Sequence, residues 1–148
     1  MPGDAIRIVS PMVMEVSASV LDEAESHVTW SVGYAPELDE DGGRFLLANL
    51  HAGSLAGRVD VEVSATQFGG RATASFDRDE SDRFATELAG AEALETLYDF
   101  TRIIARGLLG TADIDLELPL ASPTPEITQL VRSTDSETEA EPTEGADH

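Results

Sequence analysis

The residues that could carry chemistry are few and widely spaced along the chain. The histidines are His27, His51 and His148, and no two of them stand at the short helical spacing typical of a zinc site. The chain contains no cysteine, so disulfides, thiolate metal ligands and cysteine nucleophiles are excluded. The sequence therefore predicts no metal and no cofactor.

Serines and acidic residues also lack a recognisable catalytic arrangement. No serine lies in a G-x-S-x-G turn, and no lysine is present to complete a phosphate-binding loop. The acidic segment Glu37–Asp41 lacks the ligand spacing of an EF-hand, which favours a solvated turn. Asp113 and Asp115 could share one face of a strand, but paired-carboxylate catalysis also needs a cleft around the pair. We therefore predict no catalytic residues and a protein that is not an enzyme.

Charge restricts the partners that this chain can bind. Its formal net charge is −20, from 29 acidic and nine basic residues, and all nine basic residues are arginine. Such a balance opposes binding to nucleic acid or to anionic membranes and favours basic partners. The N-terminal residues do not resemble a signal peptide, and no segment approaches the ~20 apolar residues of a membrane span. We expect a cytoplasmic protein that binds no nucleic acid and does not insert into membranes.

Composition divides the chain into a folded body and an acidic tail. Ser133–His148 contains six acidic residues, no Lys or Arg, and no large aliphatic or aromatic side chain. Such a segment cannot bury enough apolar surface to offset the entropy of ordering it, so we predict that it is disordered. Residues 1–132 are long enough for one modest core and are expected to form a single domain.

A period of two in the first half of the body predicts β-strands. The predicted strands cover residues 12–20, 27–35, 44–50, 58–68 and 71–76. In the first of them, Met12, Met14 and Val16 fall on one side of the strand. Short loops rich in glycine and acidic residues separate the segments, which favours an antiparallel sheet of four to five strands.

The period changes to that of a helix after residue 78. We predict a short helix over 79–88 and a long C-terminal helix over 92–109, so that strands followed by helices define an α+β fold. Residues 114–118 alternate briefly, and a short apolar stretch covers 127–131. Apolar residues surround well over half of the long helix. They could serve as a subunit interface, as a peptide groove, or as core enclosed by the strands and the C-terminal segment.

The segment Glu95–Pro119, ETLYDFTRIIARGLLGTADIDLELP, resembles the long helix and following loop of the SecB-like export chaperones. Leu97, Tyr98, Phe100 and Arg102 match the family's signature at the start of that helix. Leu116, Leu118 and Pro119 match the L-x-L segment after it. The antiparallel strands and the acidic tail agree with the outline of the family, whose last helix would here be reduced to Ile127–Val131.

The resemblance implies an ATP-independent holdase chaperone that binds unfolded or partly folded polypeptides and assembles as a homotetramer. It could be a solitary protein or one associated with a toxin–antitoxin system. Long helices would form the oligomer interface, with candidate residues Leu97, Phe100, Ile104 and Leu108. Aromatic anchors contribute much of the binding energy in apolar grooves, so the candidate polypeptide-binding residues are Trp30, Phe76 and Tyr98.

Two other classes of protein agree with the same sequence. An acidic inhibitor or DNA mimic would explain the charge of −20, and it would bind one basic partner in a salt-sensitive complex. A small structural or assembly protein would show neither that complex nor suppression of aggregation. Oligomeric mass and client aggregation are the observations that separate the three.

Overall fold

The ordered elements follow the predicted sequence of strands and then helices. The structure is a computed structural model, and it describes residues 5–20, 26–70 and 78–130. Its elements are β1 (Arg7–Ser19), β2 (His27–Tyr34), β3 (Arg44–Ser54), β4 (Gly57–Phe68), α1 (Arg78–Ala89), α2 (Glu92–Ala112) and β5 (Glu126–Gln129). The prediction of an α+β fold with a long helix near its C-terminal end is confirmed.

The five strands form one sheet in the order β1-β4-β3-β2-β5. Strands β1 to β4 pair antiparallel with their neighbours, as predicted. Strand β5, however, runs parallel to β2, so the prediction of a wholly antiparallel sheet is wrong at this edge. The helices and the connecting segment 113–125 carry the chain back across the sheet, and only such a long crossover lets a strand enter parallel to its neighbour.

One face of the sheet forms the core, and β4 shows how the sequence selects it. Val59, Val61 and Val63 are fully buried, whereas Asp60 and Glu62 between them are only partly buried. Successive side chains of a strand point to opposite faces, so the alternation places every valine against the helices. The opposite face of the sheet, which we call the outer face, is polar on this strand.

Helix α1 covers the end of the core face near the β2–β3 turn. The ring of Phe84 packs edge to face against Tyr34, with 4.9 Å between centroids. The guanidinium of Arg44 also lies over the Phe84 ring, 5.0 Å from its centroid, and Arg44 Nη1 donates to the Ala35 carbonyl at 2.8 Å. Burial lowers the pKa of Arg44, and the charge interaction with nearby Tyr34 offsets part of this shift.

Helix α2 continues beyond its predicted end at Leu109 and stops at Ala112. Asp113 takes the left-handed conformation, with φ of 60°, and its N–H donates to the Gly110 carbonyl. The amide of Ile114 donates to the Leu109 carbonyl at 2.9 Å. These bonds satisfy carbonyls of the last turn, so the helix is capped at Asp113 rather than directly after Leu109.

The acidic loop is the solvated turn that was predicted. The carboxylate of Asp39 accepts hydrogen bonds from the amides of Asp41 and Gly43, both at 2.9 Å. The turn therefore uses this carboxylate to hold its own backbone.

Three other expectations meet different outcomes. The short last helix that the family resemblance implied at Ile127–Val131 is wrong, because Glu126–Gln129 is strand β5. Residues 114–118 alternate in burial without pairing as a strand. The predicted strand at 71–76, with Phe76, and the acidic tail at 133–148 lie outside the described residues.

Candidate functional site

Strand β1 is largely exposed although it carries large apolar side chains. Met12 is 60% exposed and Met14 is 53% exposed, and Val13 and Val16 are each 41% exposed. We call these four residues the β1 patch. The strand lies at the edge of the sheet, and the described part of the chain pairs no strand with its outer side. Long apolar edge strands are usually covered in proteins, so this edge is a candidate binding surface.

Two irregularities in the pairing of β1 with β4 turn apolar side chains toward both faces. Val13 aligns with Val63 and Glu15 with Glu62, so Met14 between them has no partner of its own in the register. A second shift lies between Val9 and Met12. Each extra residue breaks the alternation of the strand. The prediction that Met12, Met14 and Val16 share one side is therefore wrong.

Helix α2 presents two different flanks on either side of its buried stripe. Glu95 accepts hydrogen bonds from the amide and hydroxyl of Ser122, at 2.9 and 2.8 Å, and the Tyr98 hydroxyl donates to the Pro119 carbonyl at 2.7 Å. This flank therefore faces the segment that leads to β5. At about 100° per residue, Phe100 lies on the opposite flank.

That opposite flank is apolar and partly exposed. Phe100, Ile104 and Leu108 are half-buried against the core, and Ile103 is 61% exposed. We call Phe100, Ile103 and Ile104 the α2 flank. Helix α2 packs mainly against β1 and β4, and at about 100° per residue Ile103 lies opposite the buried stripe, on the outward side of the helix. The α2 flank therefore extends from the margin of the core to the solvent-exposed side of the helix.

Two of the three predicted polypeptide-binding residues are brought together, but in the core. Trp30 and Tyr98 are almost fully buried and pack edge to face, with 5.4 Å between ring centroids. Burial raises the pKa of Tyr98, and the charge of Arg102 opposes this in smaller measure. In this conformation neither ring offers a surface to a ligand, and direct contact with a polypeptide stays a prediction for both. Phe76, the third residue, lies outside the described range.

The four predicted interface residues divide between core and surface. Leu97 is buried against the sheet, and Phe100, Ile104 and Leu108 are half-buried. The predicted interface set did not include Ile103, because this residue lies outside the main apolar stripe of the helix. The signal that could have found it is the run of two isoleucines at 103 and 104, which places one of them beyond the core-facing stripe.

The outer face of the sheet carries a polar cluster. Nδ1 of His51 lies 2.5 Å from a carboxylate oxygen of Asp60, and the ring of His27 lies beside His51 with 4.8 Å between centroids. No group of three or more His, Cys, Asp or Glu side chains among the described residues could hold a metal ion. In this cluster the His51 ring therefore pairs with the Asp60 carboxylate.

Depressions lined by described residues lie at the outer face and at the β2–β3 end of the sheet. One, of about 270 Å³, is lined by Glu15, Ser17, Asn49, Asp60 and Glu62. Within it, Glu15 and Glu62 stand directly opposite each other on β1 and β4. The other, of about 420 Å³, lies where β2 meets β3 and is lined by Ala35, Pro36, Glu37, Leu38, Asp39, Phe45 and Leu130. The first depression is therefore negatively charged and the second largely apolar, so the two suit a cationic and an apolar group respectively.

No helix within the described residues is long and apolar enough to cross a membrane.

Fold and site together define an acidic α+β domain with an exposed, methionine-bearing sheet edge and a partly exposed apolar helix flank. No family model matches the chain, and no curated protein matches it. Among solved structures, the chain is similar to the SecB-like chaperone Rv1957 of Mycobacterium tuberculosis, in complex with a ChAD peptide from the Rv1956 HigA1 antitoxin. The two chains are 15% identical, the match covers 81% of this chain and 87% of that one, and the TM-score is 0.49.

Proposed function

We propose that this protein is an ATP-independent holdase that binds unfolded or partly folded polypeptides. The observation that carries the proposal is the β1 patch, in which Met12, Val13, Met14 and Val16 are exposed on an edge strand. The sequence has no phosphate-binding loop and no lysine, so it offers no evident means of using ATP.

An edge strand suits a client whose sequence is not specified. Its backbone N–H and C=O groups can pair with any extended polypeptide, because main-chain hydrogen bonds do not depend on side-chain identity. Methionine side chains are flexible and polarisable, and they adapt to apolar partners of different shape. Met12 and Met14 are the two most exposed side chains of the patch, so the β1 patch has the properties of a promiscuous binding surface.

The charge of the molecule complements this surface. A net charge of −20 keeps a protein with exposed apolar residues soluble and disfavours its non-specific aggregation. It also attracts basic clients and raises the rate at which they arrive. Apolar burial would then supply a part of the affinity that salt does not screen.

The resemblance of Glu95–Pro119 to the SecB-like chaperones supports the same function and includes assembly as a homotetramer. We assign the oligomer interface to the partly exposed residues of α2, namely Phe100, Ile104 and Leu108 of the predicted set together with Ile103. Leu97 supports this interface from the core rather than at its surface. The β1 patch is assigned to the client.

The test is aggregation of a chemically unfolded client, measured by light scattering after dilution with and without this protein. We expect suppression at near-stoichiometric amounts without ATP, and we expect it to survive moderate salt. The variant Met12→Ser/Met14→Ser should suppress several-fold less. Leu55→Ser is the matched control, because Leu55 is also exposed but lies at the β3–β4 turn.

Three outcomes would contradict the proposal. Absence of suppression by a several-fold excess of wild-type protein removes the holdase function. Equal loss in the methionine and Leu55 variants removes the role of the β1 patch. A change of oligomeric mass in the methionine variant would instead assign this edge to a second copy of the chain.

The acidic inhibitor is the second candidate, and the carboxylates of the outer-face depression favour it. Glu15, Asp60 and Glu62 lie on two neighbouring strands and could imitate a row of phosphates. This function predicts suppression of basic clients only, and that suppression should disappear at moderate salt.

A further inference from the structure

Strand β5 differs from every other strand of the described sheet. It has four residues, it is the only parallel strand, and it pairs with Ser31–Tyr34 alone. Strand β2 has eight residues, so the pairing with β5 extends along half of its length. On this side of β2 the described residues contribute no other strand. The second edge of the sheet is thus occupied by a short element that covers it incompletely.

Beyond its four-residue pairing with β2, β5 makes few contacts with other described residues. The Leu130 amide donates to the Tyr34 carbonyl at 2.9 Å, and the Leu130 side chain lies over Gly33, where a Cβ would stand 2.4 Å from its nearest methyl carbon. Ile127 is the one half-buried side chain of the strand. On α1, the Ser81 hydroxyl lies 3.4 Å from the Gln129 side-chain oxygen. Elements with so few buried contacts open locally at low free-energy cost.

We propose that β5 is a displaceable strand that occupies a strand-acceptor edge on β2, and that an extended segment of a bound polypeptide replaces it there. The inference rests on the proposed function and deepens it, because it assigns a second polypeptide site and a device that limits access to it. Until a client arrives, β5 covers the backbone groups of Ser31–Tyr34.

An incoming strand gains more from this edge than β5 does. It can enter antiparallel to β2, and antiparallel pairing is slightly more stable per residue than the parallel pairing of β5. It can also extend over all eight residues of β2 rather than four. β5 has the advantage of being tethered, which gives it a high effective concentration at the edge. The exchange is therefore balanced closely enough for a client to drive it.

The side chains along β2 define what the edge accepts. Trp30 and Val32 are two residues apart and face the core, so an apolar residue at alternate positions of the incoming strand would extend the core. Gly33 faces the other way and leaves room for one large side chain, the place that Leu130 now fills. The edge should therefore accept extended segments with alternating apolar residues and no proline.

The experiment uses a fluorescein-labelled peptide as long as β2 that alternates valine and threonine between terminal lysines, with affinity measured by anisotropy. The same peptide, N-methylated at every valine and threonine, has no free N–H on either edge of the strand and is the control that cannot donate the ladder hydrogen bonds. Two full-length variants of the protein change the state of β5. Ser31→Cys/Glu126→Cys joins two residues aligned in the register, and because the chain has no other cysteine, oxidation can lock β5 to β2. Leu130→Asp removes the side chain that lies over Gly33 and releases β5.

We expect the oxidised cysteine pair to bind the peptide at least tenfold more weakly than the same protein after reduction. If β5 leaves the edge in about one molecule in ten, its release by Leu130→Asp should lower the apparent Kd by about tenfold. Equal affinity of the oxidised and reduced forms would overturn the proposal, as would equal affinity of the methylated and unmethylated peptides. If no disulfide forms, an unchanged Kd for Leu130→Asp overturns it equally.

The result is separable from that of the aggregation assay. Pairing at β1 is the same in the oxidised and reduced protein, so the difference between them reports β2 alone. A redox-dependent Kd without suppression of aggregation would leave the acceptor edge standing and remove the holdase function. Suppression of aggregation together with equal Kd values for the oxidised and reduced protein would support the holdase function and remove the acceptor edge.

Discussion

The indole ring of Trp30 meets the phenol ring of Tyr98 edge to face, with 5.4 Å between their centroids. This contact joins β2 to α2 at the centre of the core, where both side chains are almost fully buried. The Tyr98 hydroxyl then donates to the Pro119 carbonyl at 2.7 Å. One pair of aromatic residues thus links the sheet, the long helix and the segment that leads to β5.

Tyr98 should make the stability of the fold sensitive to alkaline pH. Burial raises its pKa above the ordinary value of 10.0. A group whose pKa is raised in the folded state stabilises the protein fully below its unfolded pKa, and this contribution is lost as pH rises through the folded pKa. We expect the free energy of unfolding to fall above about pH 10, by up to about 1.4 kcal/mol per pH unit.

Tyr98→Phe tests this pH dependence. The variant should lose about 1 kcal/mol at neutral pH, because the hydrogen bond to Pro119 is removed. Its stability should then depend less on pH above 10 than that of the wild type. Urea denaturation from pH 8 to 11.5 provides the measurement, and the window is favourable because the chain has two tyrosines and no lysine or cysteine. Parallel pH profiles for the two proteins would contradict the expectation.

Gly57 and Gly42 allow backbone strain to be compared with steric conflict. Both have positive φ, of 147° and 85°. A Cβ on Gly57 would stand 2.5 Å from the Ser19 carbonyl oxygen, whereas Gly42 has open space within 4 Å. Gly42→Ala should therefore cost about 1 kcal/mol from conformation alone. Gly57→Ala should cost about 3 kcal/mol, because β1 must also shift. Urea denaturation gives both values, and equal losses would show that the contact with β1 is unimportant.

The parts of the fold that the sequence predicts well are those in which local pattern and burial agree. On β4, each valine at odd positions from 59 to 63 is fully buried, because a central strand of regular pairing keeps the alternation intact. Helix α2 is similar, since its apolar period is carried by many residues and a shift of its end changes few of them. Such elements can be predicted without knowing which distant residues they contact.

The parts that fail depend on tertiary contacts. The two register shifts in β1 cannot be predicted from the pattern of apolar residues. They nevertheless determine which side chains of β1 reach the surface. Strand β5 has a single apolar residue, Ile127, and forms because the chain returns alongside β2. An aromatic side chain such as Trp30 can stabilise a core or line a binding groove, because both environments bury its apolar surface. The residue type alone therefore does not distinguish a core residue from a binding residue.

Deletion of Ser133–His148 should leave the fold intact. The segment has no large aliphatic or aromatic residue and begins beyond β5, the last described element. We expect the melting temperature to change by less than a few degrees, with a circular dichroism spectrum that retains the helix and strand signals. A larger fall would show that the acidic tail contributes to the core. Removing six carboxylates should also weaken the salt-sensitive part of binding to a basic client.

Leu97 and Ile103 separate folding from assembly on one helix. Both residues belong to α2. Leu97 is buried in the core, whereas Ile103 is 61% exposed on the α2 flank. Leu97→Asp places an unpaired carboxylate in the core and should cost several kcal/mol, enough to unfold most of the protein at room temperature. Ile103→Asp should change the free energy of unfolding within a subunit by less than about 0.5 kcal/mol, because solvent reaches the new carboxylate.

Oligomeric mass is the quantity that should respond to Ile103→Asp. A carboxylate on the α2 flank would face its own copy across the proposed interface, where like charges oppose association. Light scattering should therefore give a smaller particle than the wild-type tetramer that we propose. Thr86→Asp adds the same charge to an exposed position on α1 and should leave the mass unchanged. If Ile103→Asp and Thr86→Asp give the same mass as the wild type, α2 is not the subunit interface. Its apolar flank would then be available to the client together with the β1 patch.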